Sequence, residues 1–251
     1  MDQLRMSKFI KQFFTVVATT TTILNLGFVS IASAQDKPLP PPYLITGFDT
    51  ITTGVTWDET AIKRVLPPGV APVKDMTGGI NIYLAADGYH LGPYSASYLW
   101  VDIEGFDAPD GTKGRWMLAG VYGPNERITS QFQQFLGLPV RNGSARHDAI
   151  DGGIRAIGSH GDKEVVKVEA KIDSSKCKPG GGTVNFLTKT PDGKMMLIQP
   201  VFWGEVCPGE IGSARMTAPE GDPFAQFPVK KVNWMVQFKG SVSVPTLVAK
   251  P

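Results

Sequence analysis

The strongest constraint on this chain is a run near its C-terminus in which apolar and polar residues alternate. Val232, Trp234, Val236, Phe238, Val242 and Val244 share one parity, and Asn233, Gln237, Lys239, Ser241 and Ser243 take the other. Successive side chains of a β-strand point to opposite faces, so this pattern predicts a strand with one apolar side. It holds for thirteen residues, through Gly240. Strands that long usually bend, and the glycine marks the expected kink. Long bent strands are the material of barrels and tightly curled sheets. Lys163–Ile172 follows the same rule, with Val166, Val168, Ala170 and Ile172 against Lys163, Lys167, Glu169 and Lys171. That is the pattern of a half-buried antiparallel strand.

Shorter strand-like runs occupy Ile80–Ala85, Ser97–Ile103 and Arg115–Tyr122, separated by Asp87-Gly88 and by Ala108-Pro109-Asp110-Gly111. Two helices are predicted. Asp58–Leu66 has acidic residues in its first turn, places Ile62, Val65 and Leu66 on one face, and stops at Pro67-Pro68-Gly69. Pro124–Leu136 opens with proline, spaces Ile128, Phe132, Phe135 and Leu136 helically, and ends at Gly137. Nothing repeats at a fixed period. The expected class is therefore mainly β (α+β), a single domain over residues 43–251, behind a proline-rich lead at residues 35–42 that reads as a tether.

The first 34 residues read as a secretory signal peptide. Arg5, Lys8 and Lys11 precede 24 uncharged residues, Gln12 to Gln35, and the segment closes on Ala32-Ser33-Ala34. An uncharged stretch of that length could also span a bilayer. The four threonines Thr19–Thr22 weaken such a span, and the small residues suit cleavage after Ala34. The expected location is therefore outside the cytoplasm, periplasmic or secreted, with no stable membrane span after cleavage. The whole chain has 25 basic and 23 acidic side chains; without the leader the count is 22 of each over 217 residues. A neutral protein without a Lys/Arg cluster is a poor partner for nucleic acid or an anionic membrane. That length suits one domain with a substantial core.

Export also permits a disulfide. Thr183–Lys189 and Lys194–Trp203 flank the turn Thr190-Pro191-Asp192-Gly193. In a hairpin symmetric about residue 191 or 192, paired numbers add to 383 or 384, and Cys177 and Cys207 add to 384. They would face each other near the open end, where a bond is worth about 3–4 kcal/mol in the chain-entropy model. Two free buried thiols are the alternative.

Familiar catalytic signatures are missing: there is no G-x-S-x-G, Walker loop, H-E-x-x-H or C-x-x-C. The three histidines His90, His147 and His160 are too scattered for a metal site. Asp107 and Asp110 read as a Pro-Asp-Gly turn, without the further oxygen ligands of a calcium loop. No metal and no cofactor is expected. Asn142-Gly143-Ser144 fits a glycosylation sequon, relevant only in a eukaryotic secretory pathway.

The informative stretch runs from Leu66 to Arg141. It contains Leu66-Pro67-Pro68-Gly69-Val70-Ala71-Pro72, then Gly88-Tyr89-His90-Leu91-Gly92-Pro93-Tyr94-Ser95. The strand Ser97–Ile103 follows, then Gly114-Arg115-Trp116-Met117-Leu118-Ala119-Gly120-Val121-Tyr122, a helix, and Gly137-Leu138-Pro139-Val140-Arg141. This order, with Phe238 and Gly240 late in the last strand, resembles the acetoacetate decarboxylase family over roughly Tyr43 to Val244. The resemblance implies a curled antiparallel sheet or barrel with a few flanking helices, around a pocket for a small organic acid or carbonyl compound. Family members often assemble as oligomers.

The family's nucleophile is the first lysine after Gly-x-Pro, made reactive by a neighbouring lysine in an apolar pocket; acetoacetate decarboxylase is itself the standard example of that effect. Here those positions hold Val140 and Arg141. The family's glutamate falls on Ala96, and Tyr43–Thr56 contains no arginine to match the family's N-terminal one. Gly137, Pro139 and Tyr94 match. Schiff-base decarboxylation would then require another lysine, such as Lys113. Arg141, as a fixed cation for a carboxylate, and Tyr94 and His90, as polar groups at the pocket mouth, are the candidate ligand-binding residues; Arg146 and His147 are weaker ones. Three functions stay open at this point: a binder of a small organic acid or carbonyl compound without lysine imine chemistry, a lyase on a small keto acid using displaced residues, and a periplasmic or cell-surface interaction module without a small ligand.

Overall fold

The computed structural model describes residues 37–249. The segment expected to be a signal peptide, with the cleavage expected after Ala34, lies outside the described residues. Four antiparallel strands open the fold: β1 (Tyr43–Trp57), β2 (Thr77–Tyr89), β3 (Tyr94–Ile103) and β4 (Gly114–Gly123). Helix α1 (Glu59–Val65) links β1 to β2, and α2 (Glu126–Leu136) follows β4. Asp58 caps α1, its carboxylate accepting the Ala61 N–H at 3.0 Å. Asn125 caps α2, so this helix begins two residues later than expected, with Pro124 outside it; Gly137 ends it in the left-handed conformation at φ 65°. A residue with a Cβ is disfavoured there.

The remaining strands are β5 (Val140–Asn142), β6 (Ser144–Ile150), β7 (Gly153–His160), β8 (Lys163–Ile172), β9 (Lys178–Thr183) and β10 (Phe186–Lys189). They are followed by β11 (Met195–Ile198), β12 (Val201–Met216), β13 (Val229–Val244) and β14 (Val248–Ala249). All fourteen join one sheet, ordered β14-β11-β10-β4-β3-β2-β1-β13-β12-β8-β7-β6, with β5 beside β4 and β9 beside β12. The order has two ends, so the curled sheet is not a closed barrel, which corrects one half of the expectation. Its last strands fold back over its middle face to face: the Ala145 N–H donates to Ser95 Oγ at 2.8 Å. A Cβ on Gly158 would lie 2.0 Å from Ser97 Oγ. Such contacts stack layers but make no ladder between edges.

The curl separates two apolar cores. One lies inside the fold-back and holds Ile51, Val55, Leu99, Val101, Val166 and Phe224. The other lies on the opposite face and holds Tyr43, Phe48, Tyr83, Tyr122, Phe132 and Phe238, with α2 closing it through Ile128, Phe132 and Leu136. Strand β13 sits between β1 and β12 and serves both cores, Phe238 entering one and Met235 the other. Its polar face is therefore partly buried too, and Gln237 Nε2 donates to Asp49 Oδ1 at 2.8 Å.

Gly240 has a different use from the one expected. The extra residue of the ladder is on β1, where Ile45 pairs with Val242 and Phe48 with Gly240, and Gly47 takes φ 58°. Gly240 faces Gly204 across the ladder, and a Cβ on Gly204 would fall 2.1 Å from the Lys239 carbonyl oxygen. These glycines let two backbones approach. The hairpin arithmetic holds in both ladders: Phe186 pairs with Ile198 and Lys178 with Val206, each pair adding to 384. Cys177 and Cys207 are bonded to each other. Among the described residues no helix is long and apolar enough to cross a membrane.

Candidate functional site

A cavity of about 300 Å³ lies within the second core. Its apolar wall includes Phe48, Phe186, Phe202, Val236 and Phe238, and it reaches the surface at Trp234, which is 44% exposed. Strands β1–β4 and β10–β13 supply most of the lining, and α2 adds Phe132 and Leu136. Among the described residues that line it there is no lysine and no carboxylate. The single charged one is Arg115, the only charged residue of β4.

Arg115 is held by stacking. Its guanidinium carbon lies 4.5 Å from the centre of the Trp100 ring and 5.7 Å from that of Phe186. Its Nε is buried without a hydrogen-bond partner. Asp102 stands opposite Arg115 in the β3–β4 register, but its oxygens accept from Thr77 Oγ1 at 2.8 Å and Trp100 Nε1 at 3.2 Å. It forms no ion pair with Arg115. Burial draws the Arg115 pKa down, opposed by Tyr98 and Asp102. An arginine nonetheless stays protonated at ordinary pH. The cavity thus carries one positive charge that no protein carboxylate neutralises at contact, a costly arrangement without an anionic partner.

Beside Arg115 runs a chain of neutral polar groups. Thr52 Oγ1 donates to Asn81 Oδ1 at 2.5 Å, and Asn81 Nδ2 donates to the Tyr98 hydroxyl oxygen at 2.8 Å. Tyr98 is thereby an acceptor from the protein, and its own proton is free to donate. Tyr83 packs edge-on against Tyr94, Tyr98 and Tyr122, and its hydroxyl lies 3.0 Å from that of Tyr94. Burial raises the pKa of all four phenols, so they remain neutral hydroxyls.

No family model matches the chain, and no curated protein matches it by sequence. Solved structures do match. Acetoacetate decarboxylase from Legionella pneumophila is similar with a TM-score of 0.65 at 15% identity, over 84% of this chain and 88% of that one. The enduracididine biosynthesis enzyme MppR, in a complex with pyruvate, matches with a TM-score of 0.63 at 13% identity, over 84% and 90% of the two chains. An acetoacetate decarboxylase-like enzyme from Sphingomonas wittichii gives 0.55 at 11% identity, over 90% and 98%. This chain has the acetoacetate decarboxylase-like fold.

Within that fold the expected residues divide. Tyr94 lines the cavity. Val140 is buried in the same core, and Ala96, fully buried, sits between Tyr83 and Tyr122 in the ladder. Arg141 does not reach the cavity. Its Nη2 donates to both oxygens of Asp222, and its guanidinium lies 5.9 Å from the Phe224 ring, in the other core. Neighbouring residues of a strand face opposite ways, so if Val140 faces one core Arg141 must face the other.

His90 lies outside the cavity as well. It occupies a tight loop at φ 67°, stacks on the Tyr89 ring and faces the Pro40 carbonyl at 3.2 Å. The adjoining lead is bound to the fold and is no free tether here: the Leu39 carbonyl accepts from Tyr43 Oη at 2.8 Å and Gln131 Nε2 at 3.0 Å. Lys113, the lysine singled out as a substitute nucleophile, is an exposed partner of Asp107 at 2.6 Å, and that ion pair raises its pKa. Arg146 pairs on the surface with Asp148 and Glu164. His147 packs against β2, its Nε2 lying 3.1 Å from the Ile82 carbonyl oxygen. One compact set of metal-type ligands, Cys177, Glu205 and Cys207, has both sulfurs engaged in the disulfide.

Arg115 is the residue that motif reasoning passed over. A signal for it existed: a lone charge within Gly114–Gly123, a strand otherwise without any.

Proposed function

We propose that this is an exported protein that binds a small organic acid or carbonyl compound in the cavity of its acetoacetate decarboxylase-like fold, without lysine imine chemistry. One observation carries the reading. The lining residues described for the cavity include Arg115 and no lysine, and by the Gly-x-Pro resemblance Val140 falls where the family has its nucleophile. Valine has no amine with which to attack a carbonyl, and an arginine does not lose its proton to become a nucleophile. A cavity with apolar walls and a few convergent polar groups is the usual form of a small-molecule site. Pyruvate bound to MppR, a protein of the same fold, supports an organic acid as the kind of guest. Export is supported by the leader features of residues 1–34 and by the disulfide.

Borohydride trapping tests the absence of imine chemistry. The protein is incubated with acetoacetate and borohydride and then weighed intact. The expected mass is unchanged, whereas an adduct on any lysine would restore the lyase reading.

A further inference from the structure

The polar groups of the cavity specify more than a generic acid. Resting on the binding reading above, we propose that the ligand is a monocarboxylate with a bulky apolar, ring-sized body, its carboxylate on Arg115 and its body among Phe48, Phe202 and Phe238. Charge supplies the first argument. The lining offers one permanent cation and no anion, so one negative charge is matched, a second is not, and an amine is repelled.

Donor count supplies the second. The Arg115 side chain lines the cavity, stacked on Trp100 and paired with no carboxylate, and Asn81 donates to the Tyr98 oxygen, which leaves the Tyr98 proton to donate. Asn81 Oδ1 is already taken by Thr52 at 2.5 Å and Thr50 at 3.3 Å. The one charged group of the cavity is thus a pure donor with the Tyr98 hydroxyl able to donate beside it, while the other threonine and tyrosine hydroxyls can donate or accept. A carboxylate, which only accepts, fits a site whose one charged group only donates. The fork of a guanidinium matches the two oxygens of a carboxylate, and such charge-assisted bonds are the strong ones.

Size supplies the third. The volume of about 300 Å³ equals roughly ten waters at ~30 Å³ each, so a three- or four-carbon acid leaves most of it unfilled. The wall left over is aromatic: Phe48 and Phe202 both approach Phe238, at 6.0 and 5.5 Å between ring centres. Edge-to-face packing with a further ring suits such a wall.

A binding panel on the full exported protein tests this by calorimetry. The probes are 3-phenylpropanoate, its neutral counterpart 4-phenyl-2-butanone, the cation 3-phenylpropylamine, and acetoacetate. The acid is expected to bind roughly 10- to 100-fold more tightly than the ketone, as for a hydrogen-bonded charge. The amine and acetoacetate should be weaker still. In Arg115→Gln and Arg115→Met the preference for acid over ketone should fall toward unity, with thermal melting of each variant checking that it is folded. Equal binding of acid and ketone by the natural protein, or an acid preference that survives both substitutions, overturns the carboxylate assignment while leaving the pocket. Tighter binding of acetoacetate than of the aryl acid overturns the bulky body. If no probe binds, this proposal and the binding reading fall together.

Discussion

At the scale of single residues, what matters is which core a side chain enters. Val140 and Arg141 are neighbours, yet one sits with the cavity residues and the other is tied to Asp222 beside Phe224. The sequence marked Arg141 through its place after Gly-x-Pro, and motif position carries no information about strand parity when the strand is three residues long. Arg115 was legible only as a charge in an apolar strand, because its role depends on Trp100, Phe186 and Tyr98 arriving from elsewhere in the chain.

His147 gives a pH test at this scale. Burial depresses its pKa, against the pull of the Ile82 carbonyl, Asp49 and Asp148. Above about pH 6.5 neither the folded nor the unfolded chain carries the proton, so the group contributes nothing. Below that value the unfolded chain takes up a proton that the native state refuses, and stability falls. Urea midpoints at pH 7.5 and 5.5 should show a loss of up to about 1 kcal/mol from this group, reduced in His147→Gln, whose amide can still donate to Ile82. Identical pH slopes in the two proteins would contradict it.

At the scale of elements, the strands whose pattern is local were readable. Lys163–Ile172 forms β8 with the expected bounds, and the run at Val232–Val244 lies within β13. The hairpin register was readable because a turn of known centre fixes every later pair, and so it placed Cys177 opposite Cys207. The same run also shows what such reasoning leaves out. Gly240 could be recognised as special, but the bulge belongs to β1, a partner nearly two hundred residues away in sequence. The disulfide closes a separation of 30 residues, and its loss is expected to cost about 3–4 kcal/mol. Denaturant melts of the oxidised protein against Cys177→Ser/Cys207→Ser measure this. An unchanged midpoint would show that the β9–β12 ladder needs no covalent help.

At the scale of the whole molecule, one sheet curls until it makes two cores, and the one holding Tyr83, Tyr122 and Phe238 encloses the cavity lined by Arg115. The fold class followed from the alternating patterns, while the open ends of the sheet did not, because closure depends on which edges meet. The acetoacetate decarboxylase-like fold supplies the space, and this chain furnishes it with an arginine in β4 where the resembled family relies on a lysine after Gly-x-Pro. The central claim is that this space holds a carboxylate on Arg115. A crystal structure of the protein soaked with 3-phenylpropanoate tests it most directly. Ligand density is expected in the cavity, with both carboxylate oxygens within hydrogen-bond distance of the Arg115 guanidinium and the ring near Phe238. A ligand bound with its carboxylate turned away from Arg115, or a cavity that stays empty at saturating acid, would contradict it.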